Sequence, residues 1–313
     1  MDSETASTPI LFIIFNRPDL TAQTFDAIRR HRPGRLFVAA DGPRDEQAGE
    51  ADVCQRARAI TEAVDWPCEV TRFYSDRNLG CGRRVSSAIS QAFRSTEELV
   101  ILEDDCLPAP TFFDFCDAML CQYRDDDRVM CVAGDNFQKG RSRNSGSYYF
   151  SKYPHCWGWA TWRNAWRHYD FGIADWPILR NSGLLESACP DESEAAYWRD
   201  VFDRLHANEI DTWDFQWMLA CWRQNGLTVL PDVNLISNIG FDSRATHTTG
   251  ASECAAMETG SWTMRRPTEG VFVDRRADRF TDRNHFSGRT KPATIPLQRL
   301  SRRFSRLLGR RAA

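Results

Sequence analysis

The chain has 313 residues, is 42% hydrophobic and carries a formal net charge of −3, the profile of an ordinary globular protein able to bury one substantial core. The charge is uneven: the last eighteen residues, PLQRLSRRFSRLLGRRAA, hold six arginines and no acid, which leaves −9 on residues 1–295 and argues against a nucleic-acid-binding surface as the main function. Eleven cysteines, scattered, odd in number and free of any CxxC pair, read as small buried hydrophobes and exclude a disulfide or zinc framework.

The opening MDSETASTP is polar and acidic, without a signal-peptide pattern, and no apolar run approaches the roughly 20 residues of a membrane span, so a cytoplasmic location is expected. Four apolar runs then follow, ILFIIF (10–15), RLFVAA (35–40), EVTRFY (69–74) and ELVILE (98–103), with helical patterns over 19–31, 44–64 and 82–93 between them. Short apolar strands alternating with helices predict a Rossmann-like α/β layer, a mostly parallel sheet covered by helices on both faces. Ligands of such sheets sit beyond the carboxyl ends of the strands. The unusual polar residues of this chain fall there: Asn16-Arg17, Asp41-Gly42, the stretch 76–82, and the triplet Glu103-Asp104-Asp105.

A helix over 110–124 and one more core strand, RVMCVAG (128–134), come next, then a polar loop and the aromatic-dense YYFSKYPHCWGWATWRNAWRHYDF. Helices over 194–208 and 213–224 lead to two short strands near 228–230 and 234–239. From Gly250 onward hydrophobic density drops, and the segment is expected to wrap the surface.

Three adjacent acids repel one another and resist burial, so a strand that ends on Glu103, Asp104 and Asp105 calls for a cation or a set of hydroxyls. Hard cations such as Mn²⁺ or Mg²⁺ use one or two carboxylates and complete their shell with phosphate and water, which suits a nucleotide diphosphate. The alternative is a solvated acidic turn capping the next helix. No GxGxxG follows the first strand and no GxxxxGK[ST] occurs, which removes the best sequence support for dinucleotide oxidoreductases and P-loop enzymes. Asp214, between Trp213 and Trp217, is either a base in an apolar wall or a first-turn acid stabilised by its helix; Asp211 shares the ambiguity.

The segments PILFIIFNRPDLTAQTF, FVAADGPR, NLGCGRRVSSAISQAF and VILEDDCLPAPTFFDF resemble, in order, the nucleotide-sugar-binding segments of GT-A-fold glycosyltransferases. The last is similar to the E-D-D segment of the N-acetylglucosaminyltransferase that begins complex N-glycans. CWGWATWRNAW and WDFQWM are similar to that enzyme's acceptor and tryptophan-aspartate segments. NIGFDSRATHT is shared with bacterial sugar transferases, some labelled haemolysis-related.

The resemblance implies a GT-A fold and a metal-dependent, inverting glycosyltransferase that uses Mn²⁺ or Mg²⁺, a nucleotide-diphosphate sugar donor, and a glycan or lipid-linked acceptor. It puts Phe15, Asn16 and Arg17 beside base and ribose and Asp41 on the base, with Asn78, Gly80 and Arg83 along the nucleotide and diphosphate. Glu103 would face the donor sugar and Asp104 the ribose, with Asp105 and His247 on the metal. Asp214 would be the base, because Phe215 stands where the related segment has a second aspartate. Trp157 and Trp159 are assigned to the acceptor wall, since sugars stack their C–H faces on aromatic rings. His155 is either acceptor-side or structural.

The division expected is a nucleotide-sugar-binding half (8–125), an acceptor-binding half of the same domain (126–250), and a surface-wrapping segment (251–313) ending in a basic amphipathic helix. On that helix Leu297, Leu300, Phe304, Leu307 and Leu308 share one face, suited either to an anionic membrane or to the protein's own acidic body. A catalytically inert carbohydrate- or nucleotide-binding protein on the same scaffold is the competing class. A haemolytic activity has no transmembrane hairpin or long amphipathic strand behind it.

Overall fold

The four apolar runs become four parallel strands at the heart of the molecule, with the helices expected between them. The computed structural model describes residues 7–143, 145–241 and 254–289. In chain order its first half is β1 (Ile10–Ile14), α1 (Pro18–His31), β2 (Arg35–Ala40), α2 (Glu50–Ile60), β3 (Glu69–Tyr74), α3 (Cys81–Ala92), β4 (Glu98–Glu103), β5 (Cys106–Pro108) and α4 (Phe112–Tyr123). The second half is β6 (Val129–Ala133), β7 (Tyr148–Ser151), β8 (Trp159–Trp162), the short helices α5 (Arg163–Trp166), α6 (Trp176–Leu179) and α7 (Leu184–Ala188), then α8 (Glu192–His206), α9 (Asp214–Arg223), β9 (Leu227–Pro231), β10 (Ile236–Asn238) and α10 (Arg275–His285).

One eight-stranded sheet has the order β3-β2-β1-β4-β8-β6-β9-β7, and only β8 and β7 run against the other six. Strand alternation divides the core between its faces. Ile10, Phe12 and Ile14 pack with Phe25 and Ile28 of α1 and Phe112 and Phe115 of α4, whereas Leu11 and Ile13 pack with Val85 and Ile89 of α3 and Trp217 of α9. A third cluster, built on Trp176, Trp198, Phe202 and Trp222, fastens α6 and α8 to the outer side of α9. The architecture is thus a mixed α/β layer with a large, mostly parallel central sheet and helices on both faces.

Register positions the site. Ile13 pairs with Glu103 and Ile14 with Ala40, so Phe15, Asp41 and Asp104 leave the sheet at one level. Beyond it, β5 and β10 form an antiparallel ribbon in which Ile239 N–H donates to the Asp105 carbonyl at 2.9 Å. Gly240 then lies so close to Asp105 and Arg17 that a Cβ there would collide with both side chains.

Several expectations need correction. The three strands β5, β7 and β8 lie in stretches not read as strands, and the 44–64 helix shortens to Glu50–Ile60 behind Gly49 at φ 80°. Trp159 is 1% exposed on β8 and stacks on Trp213 at 5.4 Å between ring centroids, so it belongs to the core and not to an acceptor wall. The segment after residue 250 does more than wrap the surface: Trp262 is buried against Phe115 and donates to the Ser147 carbonyl at 2.7 Å, and α10 docks beside β7. His247 and the basic tail lie outside the described residues. No helix among the described residues is long and apolar enough to cross a membrane.

Candidate active site

The end of β4 is held by one cation. Arg17, at the start of α1, pairs through Nη2 with Asp104 Oδ1 and through Nη1 with Asp105 Oδ2 at 3.0 Å, and all three side chains are at least four-fifths buried. Phe15 N–H adds a hydrogen bond to Asp104 Oδ2 at 3.4 Å, and the Thr24 hydroxyl donates to the Asp104 carbonyl at 2.9 Å. Burial alone would lower the Arg17 pKa, but Asp104 and Asp105 hold the guanidinium above its ordinary range. Asp104 is pushed up to about 6 by burial despite Arg17. Glu103 is pushed up to about 8 by burial and then by the like charges of Asp105 and Asp104.

Glu103, Asp105 and Arg17 open onto a cavity of about 430 Å³ that Asp214 also lines, close enough for its charge to add to the raised pKa of Glu103. Asp214 is the first residue of α9; its Oδ1 accepts from the Thr212 hydroxyl, and the Cys156 thiol approaches its Oδ2 at 4.0 Å. Asp211 is committed elsewhere. It accepts from Gly82 N–H at 3.1 Å, and a Cβ at Gly82 would stand 2.7 Å from that carboxylate and from the Thr212 carbonyl, so only glycine lets α3 seat here. The ambiguity between the two aspartates is thereby reduced to Asp214 as the one facing the cavity. Thiol nucleophiles are disfavoured, because burial, reinforced by the surrounding carboxylates, raises Cys81 and Cys156 well above the usual thiol range.

The apolar wall is aromatic. Trp157 meets Phe137 and Phe241 edge-on at 5.2 and 5.7 Å, and His285 stacks on Phe137 at 4.0 Å. Of the two tryptophans assigned to the acceptor, Trp157 alone lines the cavity.

The nucleotide-side residues are arranged around this opening without all entering it. Asn16 donates to Glu50 at 2.8 Å and lines a separate open groove of about 680 Å³ beside α2. Phe15 lies under the Arg44 guanidinium at 5.6 Å. The carboxylate of Asp41 accepts from the amides of Gly42, Leu79 and Gly80 at 2.9 to 3.2 Å; Asn78 donates to the Gly42 carbonyl at 2.9 Å. These bonds lock the 78–80 loop to the end of β2. Arg83 is exposed and stacks over Phe171 at 4.8 Å, outside the cavity. Its neighbour Arg84 is buried, with Nε and Nη2 lacking a hydrogen-bond partner; burial lowers its pKa, and the Asp41 charge opposes this.

Reading the sequence left His155 open between acceptor side and structure, and missed Asp135, His285 and Phe286 among the cavity residues. Asp135 and His155 are both fully buried, with His155 Nδ1 and Asp135 Oδ2 3.2 Å apart, and both line the cavity. His285 and Phe286 arrive from the end of α10. Asp135 carried a signal, as a carboxylate straight after a buried strand, whereas the α10 residues gave none.

The donors fit a hard divalent ion in kind, since Glu103 and Asp105 are oxygen ligands whose mutual repulsion a cation would relieve. Among the described residues no group of three or more His, Cys, Asp or Glu side chains is arranged to hold a metal ion.

No protein-family model and no curated protein matches the sequence. Solved structures with a measurable likeness include a mannosyltransferase from Pyrobaculum calidifontis in complex with GDP-Man and Mn²⁺ (14% identity, 70% of each chain covered, TM-score 0.38). The galactosyltransferase LgtC in complex with donor and acceptor sugar analogues is similar at 10% identity, covering 71% of this chain and 73% of that one, with TM-score 0.36. A UDP-glucose pyrophosphorylase complexed with UDP-glucose is similar at 8% identity over 52% of this chain and 78% of that one, with TM-score 0.31. Likeness of this degree carries no argument about activity, which has to come from the cavity itself.

The Arg17 pair generates a pH-dependent prediction. An acid whose pKa is raised in the fold weakens the fold as pH climbs from its unfolded to its folded value, here from about 4 to about 6 for Asp104. Above that, the wild type holds the charge against Arg17, and an Arg17→Met variant has nothing to hold it with. The cost of Arg17→Met is therefore expected to grow as pH rises through about 6, reaching about 3–5 kcal/mol at about pH 8. Denaturant unfolding in chelator-containing buffer at about pH 5 and at about pH 8 reads it. A cost independent of pH would contradict the pairing.

Proposed function

We propose that the chain is a GT-A-fold glycosyltransferase that moves a sugar, with inversion, from a nucleotide-diphosphate sugar to a glycan or lipid-linked acceptor. The observation that carries this reading is the one cavity lined by Arg17, Glu103 and Asp105 together with Asp214, beyond the carboxyl ends of parallel strands. The aromatic wall beside Asp214 offers a stacking face for a sugar acceptor.

In this reading the Asp214 carboxylate, oriented by the Thr212 hydroxyl, takes the proton of the acceptor hydroxyl as that oxygen attacks the anomeric carbon. The bond to the donor's diphosphate breaks on the opposite face. Mn²⁺ or Mg²⁺ held by Asp105, with Glu103 beside it, would neutralise charge on the diphosphate when bound. Arg17 keeps Asp105 in place and lines the same side. Asp41 acts here by holding the 78–80 loop against the nucleotide side, and His247 is carried only by its motif as a further metal ligand.

Two substitutions test the assignment. Asp105→Ala is expected to abolish metal-dependent binding of a nucleoside diphosphate while leaving the fold intact; calorimetry with and without Mn²⁺ reads it, and equal affinity in variant and wild type would sink the metal assignment. Asp214→Asn keeps the shape of the carboxylate and removes its proton affinity, so donor binding should persist while transfer falls by about 10²–10⁴. If transfer stays near the wild-type rate, the base lies elsewhere in the cavity, and the Asp135–His155 pair becomes the group to substitute.

A further inference from the structure

The sequence of α10, RRADRFTDRNH, interleaves acids and arginines at helical spacing. The acids turn inward. Asp278 accepts from the Ser151 hydroxyl at 2.6 Å and from Lys152 N–H at 3.3 Å, Asp282 accepts from the Ser287 hydroxyl at 2.6 Å, and Asp274 caps the helix through the amides of Arg276 and Ala277. The arginines turn outward: Arg275, Arg276, Arg279 and Arg283 are exposed. Arg141 and Arg143, from the loop after β6, lie over the Phe280 ring at 4.5 and 5.0 Å and enlarge the same face. None of these six arginines forms a salt bridge among the described residues. On a body whose first 295 residues carry net −9, this is a basic face, with Asp274 as the acid at its edge.

It is also apolar at its edge. Phe272, 73% exposed, lines one open concavity of about 500 Å³ together with Arg143, Arg275, Arg276, Arg279 and Asp274. Phe272 is one of only three exposed large hydrophobics of the described residues. A single-stranded nucleic acid stacks successive bases on several rings, and Phe272 is the one aromatic among the exposed large hydrophobics of the described residues. The boundary between headgroups and acyl chains takes a cationic face with one apolar side chain inserted beside it.

We propose that the arginine face of α10, with Phe272 inserted beside it, docks the protein on an anionic phospholipid surface. The other end of α10 delivers His285 and Phe286 to the cavity wall, so docking through this helix fixes the cavity's orientation to the membrane. The inference rests on the patch alone and stands whatever reaction the cavity performs.

Co-sedimentation of the full chain with vesicles tests it, using pure phosphatidylcholine and an equimolar mixture with phosphatidylglycerol. The wild type should sediment with the anionic vesicles only, and high salt should release it. Each arginine near such a surface strengthens partition roughly fivefold, so Arg275→Gln/Arg276→Gln/Arg279→Gln should weaken it on the order of a hundredfold, and the corresponding glutamate triple further. Phe272→Ser should weaken binding at every salt concentration at which the wild type still binds, because the lost apolar insertion is not screened. The arginine-rich tail is the competing source, so Arg302→Glu/Arg303→Glu/Arg306→Glu is compared in the full chain and should retain most of the binding. Circular dichroism checks that each variant is folded; these exposed arginines make no ion pair, and the glutamine triple guards against misfolding of the glutamate one. The proposal is overturned if the wild type stays in the supernatant, if folded patch variants bind like wild type, or if the tail variant alone abolishes binding. Tighter binding to a duplex oligonucleotide than to the vesicles would overturn the lipid assignment.

Discussion

The contact of Arg17 with Asp104 and Asp105 is the constraint on which the site depends. A parallel sheet needs buried strands, and this one ends its central strand on three acids that cannot all be charged in a dry place. One buried guanidinium settles the matter by spanning two of them. The arrangement ties the turn after β1 to the end of β4, leaves Glu103 pushed up to about 8 by burial and its neighbours' charge, and keeps Asp105 at the edge of the cavity. A close-fitting glycine, Gly240, then lets the β5–β10 ribbon cover the same pair, so two distant segments converge on one salt bridge.

Much of this was legible in the sequence, for physical reasons that can be named. The runs at 10–15, 35–40, 69–74 and 98–103 are apolar, short and closed by polar residues, and they form β1 to β4 within a residue of their predicted limits. Where composition is uniform the reading failed. In the stretch from Tyr148 to Phe171 aromatic residues serve core, strand and cavity alike, so β7 and β8 were hidden, and Trp157 and Trp159 looked equivalent although β8 buries only the second. Arg83 and Arg84 are adjacent on α3, and nothing local says which one the sheet will cover. The role of Asp41 was obscured because its amide partners at Leu79 and Gly80 are remote in sequence.

The cavity gathers residues from three stretches of the chain. Residues 17–105 supply Arg17, Glu103 and Asp105, residues 135–214 supply Asp135, His155, Trp157 and Asp214, and the end of α10 adds His285 and Phe286. Its inner face is acidic because the acids of α10 are needed for its own docking, and that same requirement leaves the arginines outside. Charge segregation in the helix is thus a packing consequence before it is anything functional.

The central claim is that this cavity breaks the bond between a sugar and a nucleoside diphosphate. The measurement that tests it most directly is release of nucleoside diphosphate from a panel of uridine-, guanosine- and thymidine-diphosphate sugars, with Mn²⁺ and again after chelation. The account predicts release from donors of one nucleotide class, abolished by the chelator and restored by added metal. Binding of a donor with no release from any of them would leave an inert sugar-nucleotide-binding protein and contradict the claim.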